Sequence, residues 1–421
     1  MRFSRLIFLL LFLTSSVWAG AADHYQLARV VLRGSKRYSE ADLLRATGLK
    51  IGSQVTAADL QNAAGLLNGA GVFLSVQYLY KPAIGANNGV EADFDLTDAP
   101  QFLPAVFDNF LWFSNEQLQK ALHDDLPLYN GELPLSGGLP DQVSSSLSKM
   151  LAAKKLPSDV SWLLESERGK PPRAFLYKVE NAGLKVSDFT FAGIARMDAK
   201  LLTPAVTPLK GSDFYHSITS PWVKSKLTSI YLQNGYLKVS VDAQPRLGEA
   251  GVVTMEVTIS EGIQYRVAGF SWTGNTLFQS EELSKHLTLK PGDPANGVKM
   301  ESDLAGVRKM YGKFGREAVR VHPVADFSGD SVRYTLEITE GPVYHMGKVE
   351  ILAPDQYKEK IMGLWKLQEG AVYDSTYLVE VLAQVRKLLP TAARLEWKLR
   401  EQIDDAAKVV NIQLDVAMKQ Q

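Results

Sequence analysis

The side chains that could do chemistry are few in this sequence, and their spacing does not favour it. His24, His123, His216, His286, His322 and His345 are its six histidines. No two sit in an HExxH pattern or another close pair that would share a metal ion. The stretch GVRKMYGKF, from Gly306 to Phe314, has the outline of a phosphate-binding loop. Five residues separate its glycines instead of four, and Phe314 follows Lys313 where a hydroxyl is needed for the metal. No Gly-x-Ser-x-Gly elbow presents a nucleophile. The paired acids Glu281-Glu282 and Asp404-Asp405 are adjacent residues on expected solvent faces or turns, which suits solvation better than acid and base work. The expectation is a protein that is not an enzyme and needs no cofactor and no metal.

What must be positioned is therefore surface, not a reactive centre. A chain of 421 residues with 46% hydrophobic and 22% charged residues has room for several packed domains. Lys+Arg and Asp+Glu are each 46, so no general field draws the chain to nucleic acid or to an anionic membrane. Arg2 and Arg5, the apolar run Leu6 to Leu13 and the sequence Val17-Trp18-Ala19 make residues 1–21 an expected signal peptide, cleaved after Ala19 or Ala21. The alternative is an uncleaved anchor, although the apolar run is shorter than the ~20 residues that span a bilayer. With no cysteine in the sequence, the exported fold must be held by its cores. No later window is apolar enough for a transmembrane helix.

Two stretches, ISEGIQYRVAGFSWT from Ile259 and ITEGPVYHMGKV from Ile338, share an acidic residue, a glycine and a new apolar strand. Their glycines, Gly262 and Gly341, are 79 residues apart, and Gly235 and Gly315 are 80 apart. Between them the pattern reads β-α-α-β-β. A strand around Tyr265 to Trp272 kinks at Gly269, and a helix follows with Ser280 as its expected N-cap. Pro291 and Gly292 end that helix. Met300, Leu304, Val307 and Tyr311 then fall on one face of a second helix. Gly315 stops it, and a hairpin turning at SGDS closes the unit, with Val332, Tyr334, Leu336 and Ile338 alternating.

The same order divides the rest of the chain into units 24–98, 99–183, 184–262, 263–341 and 342–421. Gly71 ends the second helix of the first unit, and Pro390 stands in the glycine's place in the last. The 99–183 unit is the degenerate copy, its alternative being an unrelated linker domain. A repeat in which each unit touches only its neighbours predicts an elongated rod.

The motifs FSWTGNTLFQSEEL and IYLQNGYLKVSV, with the closing Glu-Gly pairs, resemble POTRA domains, the polypeptide-transport-associated modules in front of the barrels of BamA-type and TamA-type outer-membrane assembly factors. The resemblance is strongest over 184–341. It implies an α+β fold of tandem β-α-α-β-β units, each a three-stranded sheet backed by two helices. Family members continue into a C-terminal barrel, for which this sequence has no room before its last residue. The resemblance further implies that the strand after the second helix is an exposed sheet edge. An extended client can add to such an edge by main-chain bonds.

The candidate client-binding residues are Val76, Tyr78, Val239, Val241, Val319 and Val321. The alternative for the first of these edges is that a neighbouring unit shields it. Gly71, Gly235, Gly262, Gly315 and Gly341 are expected to be structural, and Trp222, Trp272 and Trp365 to pack in cores or between units, or else to anchor a partner. The implied function is a periplasmic scaffold for outer-membrane protein assembly or secretion. Its partners would be outer-membrane proteins or a separate β-barrel protein, with the membrane reached only through a partner. The alternative is a cell-envelope adaptor held by an uncleaved N-terminal anchor.

Overall fold

The computed structural model describes residues 24–84, 89–167, 169–388 and 395–418. The expected signal peptide and Pro390 lie outside them. The chain divides into two compact units: residues up to Val186 with Ser212–Ser217 and Arg246–Val253, and Ser187–Gly211 with Ile218–Pro245 and Thr254–Gln421.

In the first unit, β1 (Tyr25–Arg33) leads to α1 (Glu40–Thr47), the two-residue β2 (Gln54–Val55), α2 (Ala57–Gly69), β3 (Phe73–Pro82) and β4 (Gly89–Asp98). Ser39 and Thr56 accept N–H bonds at the two helix starts, and the Asp59 carboxylate answers Thr56 in a reciprocal capping box. The sheet order is β2-β1-β4-β3, with β1 parallel to β4 and β3 antiparallel to it. The second repeat follows the same plan with β5 (Phe102–Phe107), α3 (Asn115–Asp125), β6 (Glu132–Pro134), α4 (Leu139–Ala153), β7 (Val160–Glu165) and β8 (Ala174–Val179), in the sheet order β6-β5-β8-β7. One apolar core, including Leu27, Leu60, Phe94, Leu118 and Tyr177, runs through both repeats.

Three further sheets follow. The third is built from β9 (Lys185–Ala192), a short α5 (Thr203–Val206), α6 (His216–Gln233), β10 (Ser240–Leu247) and β11 (Val252–Ser260), in the order β10-β11-β9. The fourth comprises β12 (Arg266–Thr273), α7 (Ser280–Ser284), α8 (Gly297–Gly312), β13 (Arg320–Ser328) and β14 (Ser331–Thr339), in the order β12-β14-β13. The fifth has β15 (His345–Leu352), α9 (Asp355–Leu364), α10 (Ser375–Leu388), β16 (Leu395–Asp404) and β17 (Val409–Met418), in the order β15-β17-β16. Each has the expected three strands and helices between the first and second. Met300, Leu304, Val307 and Tyr311 are all buried, as are the alternating residues of β14.

The structure differs from the sequence expectation in the first two sheets and at α7, which ends at Ser284, well before Pro291 and Gly292. The first two sheets have four strands, because β2 and β6 add to the far side of the first strand. The later repeats keep only a single bridge there, such as Arg266 with Pro294 and His345 with Val372. At α7 the N-cap position belongs to Gln279 and not Ser280, which is the first helical residue. The Ser280 hydroxyl instead accepts a bond from the Asn275 amide at 3.3 Å. Gly269 does mark an irregularity, the register between β12 and β14 shifting between Val267 and Gly269.

Candidate functional site

The strand after the second helix is a sheet edge in all five sheets: β3, β7, β10, β13 and β16 each pair with one neighbour. Which backbone groups face outward follows from the hydrogen bonds that flank each ladder. Ala83 N donates to Gly89 O at 2.8 Å, and Ala99 N donates to Val72 O at 2.9 Å. Odd-numbered residues of β4 therefore face β3. Val76, Tyr78 and Tyr80 lie opposite Leu96, Phe94 and Ala92, so they aim their own N–H and C=O away from β4. Pro82 occupies the next outward position, where its missing N–H leaves the ladder intact.

This edge is apolar on its flanks. Leu74, at the bulge between Phe73 and Ser75, is 71% exposed, and Tyr78, Leu79 and Tyr80 are also exposed. Val76 packs partly against the core. The Tyr78 ring stacks on Phe94 at 5.9 Å and Tyr80 leans on Tyr25 at 6.2 Å. On the opposite face Lys81 and Arg33 reach Asp93 at 3.0 and 3.4 Å. The Lys81 ammonium, aided by Arg33, holds the Asp93 carboxyl below its ordinary range.

The other candidates divide. Val241 lies in β10 and Val321 in β13, where its side chain is buried opposite Ile338. Val239 and Val319 each precede the strand by one residue, with their N–H groups bonded to Tyr236 O at 3.4 Å and Arg316 O at 3.1 Å. Those two amides are already used in turns and offer no donor to a client. The alternation of apolar residues through Leu237 to Val241 hides this in sequence.

All five singled-out glycines have positive φ. At Gly235 and Gly315 there is more than a helix end. Gly235 O accepts from Tyr265 N and Gly315 O from Tyr344 N, both at 2.8 Å, so each glycine grips the first strand region of the next repeat. A Cβ would stand 2.7 Å from Tyr265 O at the first and 2.6 Å from Tyr344 O at the second. Only glycine permits the approach.

The acid of each Glu-Gly pair also has a role that the sequence reading missed. Glu261 accepts from Arg196 N at 2.7 Å, Met197 N at 3.1 Å and the Tyr231 hydroxyl at 2.9 Å. Glu340 repeats this with Thr276 N, Leu277 N and the Tyr311 hydroxyl. Burial opposes the Glu261 charge, but the backbone donors and the tyrosine outweigh it and leave the carboxyl below its ordinary range. The tyrosine phenols are pushed up, first by burial and then by the carboxylate. Tyr231 and Tyr311 share the 80-residue spacing, which was the available signal. Of the tryptophans, Trp272 bonds Ser284 Oγ and Trp365 bonds Leu367 O, whereas Trp222 is 36% exposed.

Among the described residues no group of three His, Asp or Glu side chains could hold a metal, and no helix is long and apolar enough to cross a membrane. The family model POTRA, described as a surface antigen variable number repeat, matches residues 265–341. The matched residues are those of the fourth sheet and its helices.

Part of the chain is similar to part of two larger proteins. BamA, an outer membrane protein assembly factor of Neisseria meningitidis serogroup B, is 26% identical over 159 residues, 36% of this chain and 20% of that protein. A Treponema pallidum (strain Nichols) protein, named as a candidate outer membrane protein assembly factor, is 29% identical over 177 residues, 39% of this chain and 21% of its own length. The chain thus matches about a fifth of each relative. A crystal structure of POTRA domains 3 to 5 of Haemophilus influenzae BamA aligns with a TM-score of 0.48 and 19% identity, over 55% of this chain and 96% of that one.

Proposed function

We propose that this chain is a non-enzymatic periplasmic scaffold for outer-membrane protein assembly or secretion, and that it holds extended clients, or a barrel partner, by strand addition along β3. The observation that carries the reading is the outward series Val76, Tyr78 and Tyr80, three successive donor–acceptor positions on an edge flanked by exposed apolar side chains. The names of the relatives supply the process, outer membrane protein assembly. Residues 24–98, 99–183, 184–262, 263–341 and 342–421 are assigned as its five POTRA-like units. Residues 1–21 are assigned as the export signal, which mass spectrometry of the mature N-terminus from the periplasmic fraction would verify.

The mechanism is tested by capture of a urea-diluted outer-membrane protein on the immobilised full chain. Val76→Pro deletes an outward donor without touching the β3–β4 ladder, and should weaken capture roughly ten-fold through the lost bond and the intruding ring. Val76→Thr keeps the backbone and should retain most capture. Equal capture by a folded Val76→Pro variant would remove β3 as the site.

A further inference from the structure

The edges differ in one respect that side-chain composition does not reveal, namely where proline falls among the outward positions. In the fourth sheet, Arg266 N bonds Asp330 O at 2.8 Å, so even-numbered residues in this part of β14 face β12 and odd-numbered ones face β13. Pro323 lies opposite Leu336. It is therefore an outward position, in a series that runs Val321, Pro323, Ala325, Phe327. In the third sheet Gly248 N bonds Val252 O at 2.7 Å, which places Gly248 on the inward side of its ladder. Counting back along β10, the outward series is Val241, Ala243, Pro245, Leu247. On β3 the proline comes last, after Val76, Tyr78 and Tyr80.

An added strand takes one donor and one acceptor from every second residue of the edge. Proline supplies no donor, and its ring occupies the space into which the incoming carbonyl must move. Within β10 the uninterrupted donors are Val241 and Ala243, and within β13 the series is cut after Val321. We propose that Pro245 and Pro323 close the third and fourth sheets to strand addition, so that of β3, β10 and β13 it is β3 that keeps three successive donors for an extended client. This rests on the reading of β3 as the client-binding edge. The same two prolines would keep β10 and β13 of one molecule from pairing with those of a second copy. That matters most for β13, nine residues long with Val324 and Phe327 exposed.

The test uses the full chain and a synthetic ten-residue peptide of alternating valine and threonine with a lysine at each end. Calorimetry gives the number of peptides bound per chain, and sedimentation gives the oligomeric state. Pro323→Val and Pro245→Val should each add one peptide per chain, or else produce a dimer that the peptide dissolves. Tyr78→Pro copies the gate into β3 and should cost roughly ten-fold in affinity there. Folded valine variants that bind no more peptide and stay monomeric would overturn the proposal, as would a folded Tyr78→Pro variant that binds like the parent. A gain in the valine variants with peptide binding to the parent unchanged by Val76→Pro would uphold the gates and sink β3 as the client site.

Discussion

Replacing Glu261 by alanine should unfasten the loop after β9 without disturbing the sheet. Three donors meet this 5% exposed carboxylate. Arg196 is exposed, so water can take over its N–H. Met197 and Tyr231 are buried, and each stranded donor costs about 1–3 kcal/mol. The expected loss is about 2–6 kcal/mol of local stability, or a drop of roughly 30-fold or more in hydrogen-exchange protection around residues 195–197. Exchange is the right assay because a chain of several domains has no single unfolding free energy. Glu261→Gln keeps one oxygen acceptor and should lose less. The depressed carboxyl pKa fixes the pH dependence: the contribution is present above the unfolded value of about 4.3 and is lost as pH falls through the lower folded value. Unchanged protection at residues 195–197 in a folded Glu261→Ala protein would refute the anchoring role.

Gly315→Ala combines a left-handed φ of +71 with a Cβ only 2.6 Å from Tyr344 O, and should cost about 2 kcal/mol or more. Gly292→Ala, at φ +91 with nothing within 4 Å, meets only the backbone part of that cost; faster exchange of the Tyr344 amide in the first variant and not the second is the expected readout. Asn109 is buried and bridges Val179, donating to its carbonyl at 3.0 Å and accepting from its N–H at 2.7 Å. In Asn109→Asp the carboxylate would face that carbonyl, so its pKa should rise. The deficit in hydrogen-exchange protection around Val179 relative to the parent should then be smaller at pH 4.5 than at pH 7, since protonation restores a donor.

The repeat was legible because its marks are side-chain types at a fixed interval: the Glu-Gly pairs, the helix-ending glycines and the stripe from Met300 to Tyr311. The edge strands were legible from their order, each following a second helix. Less was visible wherever the backbone decides. The short β2 exists only through pairing with β1, and two residues carry no period of their own. Val239 and Val319 continue an apolar alternation into a turn, so side chains alone place them in strands. At α7 Gln279 and not Ser280 holds the N-cap position, and no side-chain cap bond marks it. Glu261 and Glu340 read as junction acids; their partners lie some 30 or 65 residues away in sequence, and only folding brings them together. The outward phase of each edge was likewise invisible, since it is set by the hairpin that closes the ladder.

That phase gives the most direct test of client capture on β3. With valine, tyrosine and leucine labelled by 15N in the full chain, amide exchange is followed with and without a saturating extended outer-membrane-protein peptide. Strand addition protects alternate residues. The amides of Val76, Tyr78 and Tyr80 should slow by roughly ten-fold or more, while Leu79, already bonded toward β4, should not change. Peptide binding that leaves Val76, Tyr78 and Tyr80 exchanging as fast as before would contradict the account.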